Sequence, residues 1–351
     1  MKEIKKSIII GITIIMILFI VFGVTLIVSA KQINLKFGHE DNIYSHVQMQ
    51  AEKFKEMVEK RSNGEITVTI YPGGTLTGSP EELLEFLRNG AVDISLTAGG
   101  NVSGFLDDLQ FFNLPFLFKS LEHLEVGLES WPTKEIFKEF EEKNGVKVLG
   151  LSEDGTGTCI TSKKPIYSFN DMKGLKIRCM MNPLFVDMYK TFGAEPTPID
   201  WSELYTSLQL GAVEAQDNSP SLSYTERFFE VQNAVAITYH YWSPFLFLVS
   251  DQMWNKLTPE QRELIEVTAK ETCALQVEWS HLQNVKVLET LKEKGIVVTY
   301  PDMEPFIKAA QPLLDKLFEA HPQWKDWYEQ IQALDPGKAM PKASLEEKEK
   351  K

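Results

Sequence analysis

The sequence predicts an α/β fold of two similar lobes. Three observations carry that expectation: an internal repeat, strand and helix patterns that alternate on both sides of it, and one helical run too long for a single small lobe. The repeat pairs residues 79–93 (SPEELLEFLRNGAVD) with residues 200–214 (DWSELYTSLQLGAVE), aligned without a gap over 15 positions, of which 6 are identical. Each copy reads as one unit. Ser79 or Asp200 stands three residues before Glu82 or Glu203, the spacing of a capping box, so a short helix starts there. Gly90 or Gly211 then supplies the left-handed conformation that ends the helix, and Ala-Val opens a strand. The 121 residues between the copies far exceed a solenoid period, so they are equivalent pieces of two domains.

Ahead of the repeat, Ile33, Leu35 and Phe37 alternate as a strand. A helix follows with Val47, Ala51, Phe54, Met57 and Val58 on one face, and Gly64 leads into a second alternation at Ile66, Val68 and Ile70. This is β-α-β. Residues 146–151, 175–179, 234–249 and 296–300 supply further strands with helical stretches between them, which predicts mostly parallel sheets. Thr258 caps and Pro259 begins a helix that can run to Lys294, before Gly295. At 1.5 Å per residue it reaches roughly 50 Å, the length of a strut laid across both lobes. The expected organisation is a first lobe over 31–156 with 244–280 returning to it, a second over 157–243 with 281–340 returning to it, and a disordered Lys/Glu-rich tail over 341–351.

Composition and the N-terminal residues set the class. Lys2, Lys5 and Lys6 precede an apolar run from Ile8 to Val28 that closes on Val28-Ser29-Ala30, the pattern of a secretory signal peptide. The run is also long enough to span a bilayer, so residues 1–30 are either a cleaved signal or an anchor. Both place the folded part outside the cytoplasm. Beyond residue 30 there are 33 basic and 48 acidic side chains, a formal charge of −15 that repels nucleic acid and anionic lipid. The 321 residues left exceed what one hydrophobic core serves, again favouring two domains. Cys159, Cys179 and Cys273 allow one bridge or three thiols.

No catalytic signature emerges. The six histidines have no zinc-site spacing, and there is no G-x-S-x-G elbow, phosphate-binding glycine loop or Cys-Cys knuckle, so neither enzyme nor cofactor nor metal is expected. A binding reading has more support. Lys163, Lys164, Lys173, Lys176 and Arg178 form a basic island in an acidic chain. Arg178 lies in a strand between Ile177 and Cys179, where its fork of donors can be fixed to take a carboxylate in a bidentate pair.

The stretches Lys173-Gly-Leu-Lys-Ile-Arg178, Gly193-Ala-Glu-Pro-Thr-Pro-Ile199, Glu203-Leu-Tyr-Thr-Ser-Leu-Gln-Leu-Gly-Ala-Val213 and Gln216-Asp-Asn218 resemble the extracytoplasmic solute receptors of tripartite ATP-independent periplasmic (TRAP) transporters. Leu35-Lys-Phe-Gly38, Tyr71-Pro72, Gly90-Ala-Val-Asp93, Leu114-Pro-Phe116 and Tyr239-His-Tyr-Trp-Ser-Pro244 fall in the same order, so the likeness covers nearly all of the chain beyond residue 30. It implies a two-lobed, periplasmic-binding-protein-like α/β fold with a ligand cleft, crossover hinge strands and a long helix spanning both lobes. It also implies that Arg178 pairs with a ligand carboxylate, that Asn218 hydrogen-bonds the bound acid, that Trp201 packs on it, and that His240 and Trp242 lie on the strand passing the cleft. Thr158 stands where many relatives carry a second arginine, which argues against a dicarboxylate. Glu40 replaces an amide and suits hydroxyl or ammonium groups, so a sugar acid or an amino-acid-like ligand is expected. Ser79 and Ala98 fall at further cleft positions, and both are small.

The implied partners are two integral membrane subunits driven by an ion gradient, with the receptor a monomer that closes on its ligand. Two alternatives stay open: a ligand sensor anchored by residues 8–28, and a secreted hydrolase or lyase using Glu40 and Glu153.

Overall fold

Alternating apolar side chains set the first strand. β1 (Ile33–Gly38) buries Leu35 and Phe37 and pairs in parallel with β2 (Ile66–Tyr71), Leu35 opposite Val68. Between them, α1 (His46–Arg61) starts where Ser45 Oγ accepts the amide of Gln48, and buries Val47, Ala51, Phe54 and Val58. The computed structural model describes residues 32–153 and 157–338. The expected signal or anchor segment and the charged tail therefore lie outside the described residues. Among the described residues no helix is long and apolar enough to cross a membrane.

Two sheets form the cores of two lobes. The first adds β3 (Ile94–Ala98), β4 (Val146–Glu153) and β10 (Pro244–Ser250), in the order β2-β1-β3-β10-β4. The second contains β5 (Cys159–Ser162), β6 (Lys176–Cys179), β7 (Glu195–Pro198), β8 (Ala215–Asn218), β9 (Ala234–Ala236) and β11 (Val297–Thr299), in the order β11-β9-β5-β8-β6-β7. The sheets are mixed, which corrects the expectation of mostly parallel ones. β10 runs antiparallel to both β3 and β4, and β5 antiparallel to both β8 and β9. Each of these strands follows a strand of the other lobe after a link of only 5 or 7 residues, too short for a crossover helix that would reverse the chain, so it arrives pointing the opposite way.

The expected strand over 234–249 is in fact two. β9 ends at Ala236, residues 237–243 cross between lobes, and β10 begins at Pro244. Within the crossing Tyr239 takes a left-handed φ of 41°.

The repeat is visible as structure. α2 (Pro80–Arg88) runs into β3 in the first lobe, and a 3₁₀ turn at Trp201–Glu203 runs into a short helix, Leu204–Leu210, and then β8 in the second. Gly90 and Gly211 hold φ of 73° and 75°, the same left-handed stop in both copies. The capping boxes are only half made. Ser79 Oγ accepts the Glu82 amide, but the Glu82 carboxylate takes the Thr77 hydroxyl instead of turning back, and Asp200 accepts from the Ser202 amide rather than that of Glu203.

The other helices are α3 (Leu121–Leu128), α4 (Trp131–Asn144), α5 (Pro183–Thr191), α6 (the Leu204–Leu210 segment), α7 (Pro220–Thr225), α8 (Asp251–Trp254), α9 (Pro259–Glu293), α10 (Glu304–Ala320) and α11 (Pro322–Gln332). α9 is the strut: 35 residues, opened by a complete capping box between Thr258 and Gln261, resting on α1 and β4 of the first lobe and on α7 and β11 of the second. α11 packs on the first lobe, where Trp324 meets Phe111 and donates to Asp108 at 2.6 Å, so a boundary giving all of 281–340 to the second lobe misplaces it. Cys159, Cys179 and Cys273 are buried free thiols, which removes the bridged alternative.

Candidate functional site

In parallel α/β sheets the carboxyl ends of the strands face the ligand crevice, because the chain turns there into loops free to vary. Both lobes follow this rule toward a common gap. Asn101 follows β3, Met181 follows β6, and Asp200 and Trp201 follow β7, and all line one cavity with Glu81 at the start of α2 and with Arg178. The starts of the two repeat helices meet across it: a Cβ built on Gly78 would lie 3.7 Å from the Ser202 Cβ.

Arg178 is the cation of this cavity. It sits on β6 with 4% of its surface exposed, donates from Nε to the Ile199 carbonyl at 3.0 Å, and holds its guanidinium carbon 5.9 Å from the Trp201 ring centre. Among the described residues, neither terminal nitrogen of the fork makes a hydrogen bond or ion pair to a protein acceptor, although the charge acts on Asp217. Nearby, Asp217 Oδ2 accepts the Tyr189 hydroxyl at 2.6 Å and the Tyr241 hydroxyl at 2.8 Å. Burial pushes the Asp217 carboxyl up, and the Arg178 charge and the two phenols draw it back.

The network continues to His240, whose Nε2 lies 2.8 Å from the Tyr189 oxygen and whose Nδ1 lies 2.7 Å from Thr238 Oγ1. The one hydroxyl hydrogen of Tyr189 goes to Asp217, so His240 carries its proton on Nε2 and accepts at Nδ1. Burial depresses this histidine to about 3, which keeps it neutral. Its ring is thus a packing and hydrogen-bonding element behind Arg178.

The first-lobe wall carries carboxyl groups. Glu40 follows β1 and accepts a long 3.5 Å hydrogen bond from Thr97 Oγ1. Burial holds its carboxyl well above the usual range, and the charges of Asp41, Glu81 and Asp200 raise it further. Ser79 Oγ donates to Glu81 at 2.8 Å and so fixes that carboxylate beside the cavity.

Two of the residues singled out from sequence line the cavity, Arg178 and Trp201; Ser79 touches it through Glu81, and Glu40 lies close enough to Glu81 and Asp200 for their charges to act on its carboxyl. The rest stand in the layer behind. Asn218 is buried on β8, its Nδ2 donating to Gln216 Oε1 at 2.6 Å. Thr158 is buried with its amide on the Tyr241 carbonyl at 3.1 Å, and Trp242 packs into the first-lobe core with its ring 5.9 Å from that of Tyr239. Ala98 ends β3 and is buried in the first-lobe core. Sequence reasoning passed over Glu81, Asn101, Met181 and Asp200 as site residues. Glu81 and Asp200 both lie near the openings of the repeat helices but at different repeat positions, Asp200 matching Ser79 and Glu81 matching Ser202, so the repeat does not single them out. Asn101 and Met181 carry no sequence signal either. Among the described residues, no group of three His, Cys, Asp or Glu side chains is placed to hold a metal ion.

Several known proteins share this architecture. The chain is 28% identical over 277 residues to the 2,3-diketo-L-gulonate-binding periplasmic protein YiaO of Escherichia coli, covering 79% of this chain and 84% of that one. It is 30% identical over 279 residues to the sialic acid-binding periplasmic protein SiaP of Vibrio cholerae, covering 80% and 86% respectively. A solved TRAP periplasmic solute-binding protein from Sulfitobacter sp. NAS-14.1, with bound β-D-galacturonate, superimposes with a TM-score of 0.81 at 27% identity, over 86% of this chain and all of that one. Residues 37–321 match the family as a whole, and with that span the chain belongs to the bacterial extracellular solute-binding proteins of family 7.

Proposed function

We propose that this protein is the extracytoplasmic receptor of a TRAP-type transporter and that it captures a hydroxylated monocarboxylate, a sugar acid, between its lobes. The observation that carries the proposal is the Arg178 fork, buried, braced by Ile199 and Trp201, and with its terminal nitrogens uncommitted. A carboxylate there makes a charge-assisted bidentate pair. The carboxyl groups of Glu81 and Asp200 in the cavity, with Glu40 near them, select what lies at the ligand's other end. Hydroxyls donate to such groups, whereas a second carboxylate is repelled by them, and Thr158 supplies no second cation to offset that repulsion. The galacturonate, diketogulonate and sialic acid named for the relatives are all hydroxylated acids, which supports the reading.

Capture proceeds by closure, since only contact with both lobes brings Arg178 and the first-lobe Glu81 onto one molecule. Asn218 and the other buried polar groups of the second lobe would hold the cleft floor in place. Residues 1–30 would export the chain, and two membrane subunits would receive the ligand. An N-terminus of the mature protein at Lys31 fits a free receptor, while retention of residues 8–28 fits an anchored sensor. A thermal-shift screen of sugar acids, dicarboxylates and amino acids tests the ligand class: a ligand at a hundred times its Kd stabilises by about 2.7 kcal/mol. The proposal expects that shift from sugar acids and not from succinate. A response confined to dicarboxylates would overturn it.

A further inference from the structure

Away from the ligand cavity, the lobes are joined by hydrogen bonds between side chains that line no part of it. Asn42, in the loop after β1, donates from Nδ2 to Glu226 Oε1 at 2.7 Å and to the Thr225 carbonyl at 3.1 Å, and its own amide lies 3.4 Å from the same Oε1. The two partners are 184 residues apart, on opposite lobes. Asn42 is itself held in position, because its Oδ1 accepts the Tyr44 amide at 2.7 Å. Glu226 closes α7, where its amide bonds to the Leu222 carbonyl, so neither end of the contact is a free-swinging side chain. A second seam contact runs from Asn182 Nδ2 to Ser103 Oγ at 2.8 Å, with Ser103 Oγ donating in turn to the Gly100 carbonyl.

We propose that Asn42 and Glu226 form an inter-lobe latch, positioning residues that set how long the cleft stays shut, and hence how long a ligand is retained, without touching it. The retention half of this statement rests on the receptor reading above; the latch itself does not. A carboxylate accepting from an amide, with a backbone carbonyl shared by the same donor, is a short-range and directional link that exists only when the lobes meet. Its geometry asks for an acceptor oxygen at Oε1 rather than for a negative charge. Glutamine at 226 preserves that oxygen, and alanine removes it.

The seam bond to Ser103 provides an internal comparison. Asn182 also caps α5 through the Leu184 amide, so replacing it would damage the helix, whereas Ser103→Ala removes the seam bond with the cap intact.

The test is amide hydrogen exchange and small-angle scattering on the full chain, with and without D-galacturonate as the probe. The proteins compared are wild type, Asn42→Ala, Glu226→Ala, Glu226→Gln, Ser103→Ala and Arg178→Ala. Loss of one or two such hydrogen bonds corresponds to an exchange change of about three- to tenfold at the seam. The latch predicts that much faster exchange over residues 41–45 and 219–226, with a larger radius of gyration, in Asn42→Ala and Glu226→Ala, while Glu226→Gln stays within about twofold of wild type. Unchanged seam exchange in both alanine variants overturns the latch, as does a Glu226→Gln protein as open as Glu226→Ala. Arg178→Ala separates the two readings: it keeps seam protection without ligand and loses only the part that galacturonate adds. If galacturonate adds protection to no variant, the sugar-acid reading fails for that probe, and the ligand-free comparison still decides the latch.

Discussion

Arg178 Nε donates to the carbonyl of Ile199 at 3.0 Å, so one edge of the guanidinium is fixed to its own lobe and the other is left for the cleft. A lysine in this place would keep the charge, lose the bond to Ile199 and offer no fork. Arg178→Lys is therefore expected to fold normally and to bind its acid at least about tenfold more weakly, as a charged bidentate pair contributes more than one hydrogen bond's worth. Calorimetric titration beside a thermal melt separates the two effects.

Glu40 should make stability depend on pH in an unusual direction. Burial first, then the charges of Asp41, Glu81 and Asp200, raise its carboxyl above the ordinary value of 4.5. Between that value and the raised one, the folded protein holds more protons than the unfolded chain, so stability falls as pH rises through the window. Glu40→Gln removes the charge and keeps the shape. It is expected to melt above wild type at neutral pH and to converge with it below about pH 4.5. A variant that melts lower at neutral pH would show that Glu40 has a stabilising partner.

Tyr189 links two buried polar groups, and its loss strands both. Tyr189→Phe takes one donor from Asp217 and the acceptor from His240, at sites with no access to water, and is expected to cost about 1–3 kcal/mol in urea unfolding. Tyr241→Phe also takes a donor from Asp217. A neutral Tyr189→Phe would show that neither of its two bonds contributes to stability.

The paired glycines give a test of the repeat. With φ of 73° and 75°, Gly90 and Gly211 sit where a side chain is strained by about 1–2 kcal/mol. Alanine at Gly211 meets only the end of the Lys163 side chain, at 3.3 Å, but at Gly90 it meets Gln252 at 2.6 Å. Both variants should be destabilised, Gly90→Ala the more, in urea unfolding. A neutral Gly211→Ala would show that its backbone relaxes out of the left-handed region.

These comparisons also explain what the residues revealed in advance. The repeat, the β-α-β opening and the strut at Thr258-Pro259 were legible because periodicity, caps and glycine stops are local signals, fixed by a few neighbouring side chains. The direction of β5 and β10 was not, because an apolar run has the same composition whichever way it enters a sheet. The break at Tyr239 was hidden for a similar reason: apolar and aromatic residues continue through it, and only the backbone turns. Arg178 could be found from its setting in a strand and from the motif around it. Glu81 and Asp200 could not be separated from other acidic surface residues until the two lobes brought them to one cavity, and the Asn42–Glu226 contact has no sequence signature at all.

The most direct test of the central claim is calorimetric titration of wild-type protein and Arg178→Ala with D-galacturonate, L-gulonate and succinate in parallel. Binding of a sugar acid by wild type, weakened about 30-fold or more in the variant while its melting temperature holds, is the predicted result for a desolvated charge pair. Equal sugar-acid affinity in the two proteins would contradict the account, because the carboxylate would then have its anchor elsewhere.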